Sequence, residues 1–231
     1  MIPDLSQFEK KTGINFKNKD LLKEAFTHRS YLNENPSWSV PHNERLEFLG
    51  DAVLELVVTQ ELFKKYPEKP EGELTSFRAA LVNANMLSEV AQELGMNDYL
   101  LLSRGEAKDV GRARQYILAN AFEAFTGALY LDQGYEAAQK FIESWVLKRL
   151  GEVVSKQLFQ DAKSLFQERA QEVVGVTPRY DVLKEWGPDH NKHFIVGAYL
   201  GEELVAEGEG PSKQEAQQAA ATAALKERGW S

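Results

Sequence analysis

Apolar side chains recur at helical spacing over the first two thirds of the chain, up to about residue 156. Turn-forming residues interrupt this pattern at 35–43, which is rich in Pro, Ser and Asn, and again at 66–72. The segments between and beyond these breaks predict helices at Glu44–Lys65, 74–94, 114–131 and 135–158. This part shows no convincing strand pattern, so residues 1–156 are predicted to form an all-helical domain.

The pattern changes after residue 161. An amphipathic helix is predicted first, and three strand-like runs and an Ala-rich helix that ends at Gly229 follow it: Ala162–Val174, Arg179–Trp186, His193–Leu200, 203–207 and Lys213–Arg228. A polar loop at 187–192 joins the first two strands. Residues 161–231 are therefore predicted to form a small α+β domain of order α-β-β-β-α, after a linker at 157–160.

Composition narrows the class of protein without identifying it. The 231 residues are 43% apolar and 27% charged, which is typical of a soluble globular chain. The absence of cysteine excludes disulfides, thiolate zinc sites and cysteine nucleophiles, and it agrees with a reducing, cytoplasmic location. No run without a charged residue is longer than 79–88, which is far shorter than the roughly 18 residues that span a bilayer. The N-terminus also lacks the layout of a signal peptide, so no membrane partner is expected.

The net charge of −8, from 27 basic and 35 acidic residues, argues mildly against nucleic acid as the partner. Part of the acidic excess lies in the predicted helix Glu44–Lys65, where Glu44, Glu47 and Asp51 share one face. An acidic stripe at a helix N-terminus is favoured by the helix dipole, and this is the simpler interpretation. Asp51 weakens it, because this residue lies two turns into the helix.

A second apolar helix repeats the pattern. Glu123 is the single charged residue of 116–131, and Asn120 lies one turn before it on the same face. A carboxylate in such a helix needs a partner. One hypothesis is that Glu123 pairs with an arginine, Arg45 or Arg78. The other is that two packed helices form an all-oxygen site for a hard cation such as Mg²⁺, with these four residues: Glu47, Asp51, Asn120 and Glu123.

Longer strings of residues carry a specific resemblance. The string HNERLEFLGDAVLEL at 42–56 closely resembles the signature of the ribonuclease III family, and AFTHRSY at 25–31, EGELTSFRAALV at 71–82 and ILANAFEAFTGALYLDQG at 117–134 follow in the order of that family. In the tail, GPDHNKHF at 187–194 and GEGPSKQEAQQAAA at 208–221 resemble a double-stranded-RNA-binding domain. Together they resemble a bacterial-type member, with one nuclease domain and one binding domain.

This resemblance implies a Mg²⁺-dependent endoribonuclease that cuts both strands of duplex RNA. The products would carry 5′-phosphates and short 3′ overhangs, and the substrates would include rRNA precursors and mRNA. Two Mg²⁺ ions per active site are expected, with Mn²⁺ as a substitute, and no nucleotide cofactor. The family also implies a homodimer. The apolar surface of the helix Glu44–Lys65 points the same way, with Phe48 and Leu49 in the interface or the core.

By match to the family motif, Glu47, Asp51 and Glu123 are metal ligands, and Asp51 and Glu123 carry the catalytic role. Asn120 is the fourth metal position, where the family usually has Asp. An amide oxygen still ligates a hard cation but brings no charge, so weaker metal binding is expected. The alternative is a non-catalytic or weakly catalytic duplex-RNA-binding protein. Glu44 and Glu71 are expected to be supporting residues.

The resemblance also assigns residues of the second domain to duplex RNA. Neutral Gln side chains both donate to and accept from 2′-hydroxyls and base edges in the minor groove. The expected RNA-binding residues are Gln167, Glu168, Gln171, His190, Lys192 and Lys213. Gln214 and Gln217 stand where the family commonly has Lys. From residue 161 onward there are 8 basic and 12 acidic residues, so weaker binding with a shallower salt dependence is expected.

Overall fold

The computed structural model describes residues 2–155, 161–188 and 192–230. The chain divides into two compact units, 1–159 and 160–231. The predicted linker at 157–160 lies outside the described residues, so the predicted domain boundaries stay a prediction. No helix in the described ranges is long and apolar enough to cross a bilayer.

The first unit is built from helices. Its described residues contain no regular strand, and the one isolated bridge joins Thr27 to Leu101. The α-helices are α1 Leu5–Thr12, α2 Lys19–Ala25, α3 Arg29–Glu34, α4 Glu44–Lys65, α5 Glu71–Val82, α6 Ala84–Glu93, α7 Arg112–Gln133, α8 Tyr135–Trp145 and α9 Leu150–Ser155. This agrees with the all-helical class predicted from the sequence.

Two of the predicted helices are wrong in extent, because each is broken. The segment predicted as one helix at 74–94 stops at Val82 and restarts at Ala84. Asn83 between them is extended, with ψ 159°, and its side chain accepts a hydrogen bond from the Met86 N–H. The segment predicted at 135–158 leaves the α-helical path after Trp145 and passes through a 3₁₀ turn before α9.

Helices α4 and α7 form the most extensive helix pair of this unit. Their backbones touch where each helix has a glycine. A Cβ on Gly50 would lie 1.7 Å from the carbonyl oxygen of Glu123, and one on Gly127 would lie 2.2 Å from that of Leu46. The two helices can therefore cross this closely only because Gly50 and Gly127 have no side chains, and the apolar core surrounds the crossing.

The second unit follows the predicted order. Helix α10, Ala162–Val174, precedes an antiparallel sheet of order β1-β2-β3, and α11, Lys213–Arg228, follows it. The strands are β1 Arg179–Trp186, β2 His193–Leu200 and β3 Glu203–Gly210. The last strand is longer than predicted because Gly208 and Gly210 pack directly on α11: a Cβ on Gly208 would lie 2.0 Å from the Ala220 nitrogen.

Candidate functional site

One face of α7 remains accessible in an otherwise buried helix. From Ile117 to Leu129, only Asn120 and Glu123 are not buried. On α4, Glu47 is half-buried and Asp51 is exposed. Because the two helices touch at Gly50 and Gly127, these four oxygen-bearing side chains belong to one region of the surface, beside the crossing. Glu47 and Asp51 lie close enough to Glu123 for their charges to raise its pKa, and Asn120 lies one turn before Glu123 on α7.

Negative charge accumulates in this region. Burial, and then the neighbouring charges of Asp51 and Glu47, raise the pKa of the Glu123 carboxyl to about 8. Burial and the charges of Glu44 and Asp51 raise the pKa of Glu47, and burial and the charge of Glu55 raise that of Asp51. Glu47 and Asp51 therefore make ionisation of Glu123 less favourable, and among the described residues no cationic side chain lowers the pKa of Glu123.

The hypothesis that Glu123 pairs with an arginine is not supported. Arg78 instead donates a hydrogen bond to Thr59 Oγ1 at 3.0 Å, and among the described residues neither Arg78 nor Arg45 forms an ion pair with Glu123. Within the same ranges, none of the four candidate ligands has a hydrogen-bond or ion-pair partner. Unpaired carboxylates in a partly buried site are the arrangement that a cation would stabilise.

The donor set fits a hard cation, because carboxylate and amide oxygens are the ligands that Mg²⁺ prefers. In the described part of the chain, however, no three His, Asp or Glu side chains are close enough together to hold one ion. Mutual repulsion of the carboxylates is a physical reason for this separation. The assignment of Glu47, Asp51, Asn120 and Glu123 as metal ligands stays a prediction.

Glu44 and Glu71, the two residues predicted to support the site, form hydrogen bonds with residues outside the candidate ligand set. Arg29 Nη2 donates to Glu44 Oε2 at 2.7 Å, and His42 Nδ1 lies 3.8 Å from the same oxygen. Glu71 begins α5, where its Oε1 accepts a hydrogen bond from Thr75 Oγ1 at 3.0 Å. Neither contact joins them to the four candidate ligands, and their supporting role also stays a prediction.

On the second unit, the predicted RNA-binding residues are at the surface. Gln167, Glu168 and Lys213 are exposed, and Gln171 Nε2 donates to Thr177 Oγ1 at 2.6 Å. Lys192 Nζ lies 3.6 Å from Glu185 Oε1. His190 lies outside the described residues.

The sequence interpretation missed one cation near the start of α11. Lys163 Nζ donates to Gln217 Oε1 at 2.7 Å and lies 5.2 Å from the centre of the Tyr180 ring. An ammonium group from α10 is therefore held beside Gln217, which stands at one of the positions where Lys was expected. No local pattern could have found it, since the two residues are 54 positions apart.

Comparisons with known proteins agree with this arrangement. The family model described as Ribonuclease-III-like matches residues 18–150, and the double-stranded RNA binding motif matches 162–228. Ribonuclease 3 of Borreliella afzelii is 45% identical over 222 residues, which cover 96% of this chain and 90% of that protein. The chain belongs to the ribonuclease III family. Ribonuclease 3 of Anoxybacillus flavithermus is 47% identical over 219 residues, covering 95% of this chain and 92% of that protein.

A solved nuclease domain of ribonuclease III from Campylobacter jejuni is similar to the first unit. It is 39% identical with a TM-score of 0.57, and the match covers 63% of this chain and 97% of that domain. The protein is therefore an endoribonuclease of the ribonuclease III family, with a helical nuclease domain followed by a domain that binds double-stranded RNA.

Proposed function

We propose that this ribonuclease III cleaves double-stranded RNA with Mg²⁺ as its cofactor and leaves 5′-phosphates and short 3′ overhangs. The observation that carries the proposal is the unpaired carboxylate of Glu123, whose pKa is raised to about 8 by burial and by Asp51 and Glu47. A divalent cation would compensate this charge. The relatives named Ribonuclease 3 support the same activity.

Glu47, Asp51, Asn120 and Glu123 would hold the metal, with two Mg²⁺ ions in each site and Mn²⁺ as a substitute. Bound Mg²⁺ supplies Lewis acidity, which stabilises the charge that develops on phosphate oxygens during cleavage. Glu123 is the most buried of the three carboxylates in this proposal, and it anchors the site from α7. Asn120 contributes a neutral oxygen and therefore leaves the site one negative charge short of a four-carboxylate set.

We also propose that the nuclease domain forms a homodimer through α4. Phe48 is 82% exposed, Phe63 72% and Leu56 56%, and these residues follow one side of the helix. A groove of about 840 Å³ lies beside Phe48 and is lined in part by Leu49 and Leu131. Apolar surface of this kind on a helix is stabilised when a second copy covers it. The solved Campylobacter jejuni domain is described as having a region involved in dimer formation, which supports this proposal.

The proposal extends to cytoplasmic processing of rRNA precursors and mRNA. Its support is the family membership and a chain that contains no cysteine.

Cleavage of a perfect RNA duplex in Mg²⁺ tests the proposal. Glu123→Ala should abolish cleavage and leave duplex binding in a gel-shift assay nearly unchanged, because the binding domain is a separate unit. Glu143→Ala is the matched control: it removes a half-buried carboxylate of α8 that accepts a hydrogen bond from Gln139. Product ends are checked by ligation that depends on a 5′-phosphate.

Wild-type protein that binds duplex RNA but stays inactive at every Mg²⁺ and Mn²⁺ concentration would favour the alternative, a binding protein without cleavage. Asn120 is the observation behind that alternative. Cleavage by Glu123→Ala at the wild-type rate would show that the site is elsewhere.

A further inference from the structure

The accessible face of α7 extends beyond the candidate metal ligands. Tyr116 lies one turn before Asn120, and Arg112 lies one turn before Tyr116, so the four side chains at 112, 116, 120 and 123 follow one line along the helix. Asn120 and Glu123 are half-buried, Tyr116 is 51% exposed and Arg112 is exposed. The line therefore runs from the carboxylate region out to the protein surface.

The hydroxyl of Tyr116 has no hydrogen-bond partner among the residues that the structure describes, and this aromatic side chain packs on no described ring. A large aromatic side chain that is half exposed contributes little to the core, which is complete without it. Burial fixes the neighbouring residues Ile117, Leu118 and Ala119. Tyr116 is thus held by a rigid helix, and about half of its surface is exposed.

Positive charge collects at the same end of α7. The guanidinium of Arg114 donates to the carbonyl oxygens of Glu106 and Ala107 at 3.0 Å and of Asp109 at 3.3 Å, which fastens the preceding loop to the first turn of the helix. The segment 103–114 carries four basic and two acidic residues in a chain whose net charge is −8. This end is therefore suited to an anionic ligand, unlike the carboxylate region beside it.

Spacing connects these groups to the substrate. Side chains one turn apart on a helix are separated by about 5.4 Å along the axis, which is comparable to the distance between successive phosphates of one RNA strand. A hydroxyl and a guanidinium both donate hydrogen bonds to phosphate oxygens, and such contacts fix the register of a nucleic acid without reading its sequence.

We propose that Tyr116 is a substrate-binding residue of the nuclease domain: its hydroxyl donates a hydrogen bond to a phosphate of the cleaved strand next to the bond that is cut, and Arg112 binds the phosphate beyond it. The proposal rests on the position of the catalytic site proposed above. It adds two contacts that hold the RNA strand along α7, in a region where the carboxylates alone would repel it.

The test uses the full-length protein and short RNA duplexes with a single neutral methylphosphonate, placed in turn at each of the three phosphates on either side of the cleaved bond. Tyr116→Phe keeps the ring and removes the hydroxyl. It should raise KM about tenfold, as expected for the loss of one hydrogen bond to a charged group, and change kcat less than twofold. Arg112→Ala should raise KM at least as much. Lys140→Ala, which removes an exposed cation of α8, should leave both constants unchanged.

Two of the modified duplexes decide the assignment. At the phosphate bound by Tyr116, the methylphosphonate should raise KM of the wild type but cause no further increase in the Tyr116→Phe variant. At the next phosphate, farther from the cleaved bond, it should raise KM of the wild type but cause no further increase in the Arg112→Ala variant. The proposal would be overturned if the methylphosphonate and the substitution raised KM additively at every phosphate. It would also be overturned if Tyr116→Phe had the wild-type KM. Fluorescence anisotropy in EDTA repeats the comparison without cleavage. It therefore decides the contacts even if wild-type protein does not cut and the proposed Mg²⁺ activity fails.

Discussion

Replacing Glu123 by Gln should stabilise the metal-free protein, although it should destroy activity. Gln has nearly the same shape as Glu and removes only the charge. Burial, and then the charges of Asp51 and Glu47, raise the pKa of this carboxyl from 4.5 to about 8 in the folded protein. Below pH 4.5 the carboxyl is protonated in both the folded and the unfolded protein, so it does not lower the free energy of unfolding. As the pH rises from 4.5 to 8, the unfolded chain releases the proton first, so the free energy of unfolding falls.

The size of the effect follows from that interval. One pH unit corresponds to about 1.4 kcal/mol, so the loss reaches about 3 kcal/mol at pH 7 if the whole shift is expressed. Water screens a half-buried carboxylate, which reduces the expected difference to about 1–3 kcal/mol. For a domain of this size each kcal/mol corresponds to about 2–4 °C in Tm. Above pH 8 the difference should stop growing.

Calorimetry of wild type and Glu123→Gln in EDTA, from pH 4.5 to 8.5, measures this difference. Glu143→Gln, which removes a half-buried carboxylate of α8, is the control for the loss of a carboxylate outside the candidate site. Mg²⁺ should then raise the Tm of wild type more than that of Glu123→Gln. A Glu123→Gln variant that is no more stable than wild type at pH 8, or whose advantage is the same at pH 5, would refute the reasoning.

Three further predictions concern metal, assembly and RNA. Asn120→Asp adds a fourth carboxylate, so it should lower the Mg²⁺ concentration for half-maximal cleavage several-fold in a titration. The cleavage rate at saturating Mg²⁺ should change less. Equal midpoints for the two proteins would show that Asn120 is not a metal ligand. Phe48→Glu places a charge on the exposed face of α4 and should convert a dimer to a monomer in sedimentation, whereas a dimer that persists would place the interface elsewhere. Lys213→Gln should weaken duplex binding about 3–10-fold and reduce the salt slope by about one, while Lys226→Gln, at the other end of α11, should change neither.

The sequence predicted the long elements well and the short breaks poorly. Helices α4 and α7 were predicted because each combines good helix formers with a long apolar pattern. Asn83 was not recognised as a break, because one extended residue changes the spacing of apolar side chains too little to interrupt the pattern. The hydrogen bond from the Met86 N–H to the Asn83 side chain shows the break, and it is visible only in the structure.

Spacing along α4 and α7 selects the four candidate ligands, but it does not give the electrostatics of the site. Spacing placed Asn120 and Glu123 on one face, but it left two arginines as equally suitable partners of Glu123. Only the packing showed that Arg78 bonds elsewhere. The spacing also relates Tyr116 to Asn120 and Glu123, but it does not single Tyr116 out, because an aromatic residue in an apolar helix is more often part of the core.

The glycine crossing of α4 and α7 has a consequence for how the enzyme responds to metal during folding. Gly50 and Gly127 are 77 positions apart, and 69 to 76 positions separate Glu47 and Asp51 from Asn120 and Glu123. An unfolded chain therefore offers an ion two separate half-sites, and only the closed helix pair offers the whole set. In the proposed site, Mg²⁺ binding and closure of this pair are linked, so each increase in free Mg²⁺ above the dissociation constant shifts the folding equilibrium toward the paired helices. Cellular Mg²⁺ would then act on this nuclease in two ways, as the cofactor of cleavage and as a ligand that stabilises the pairing of its two central helices.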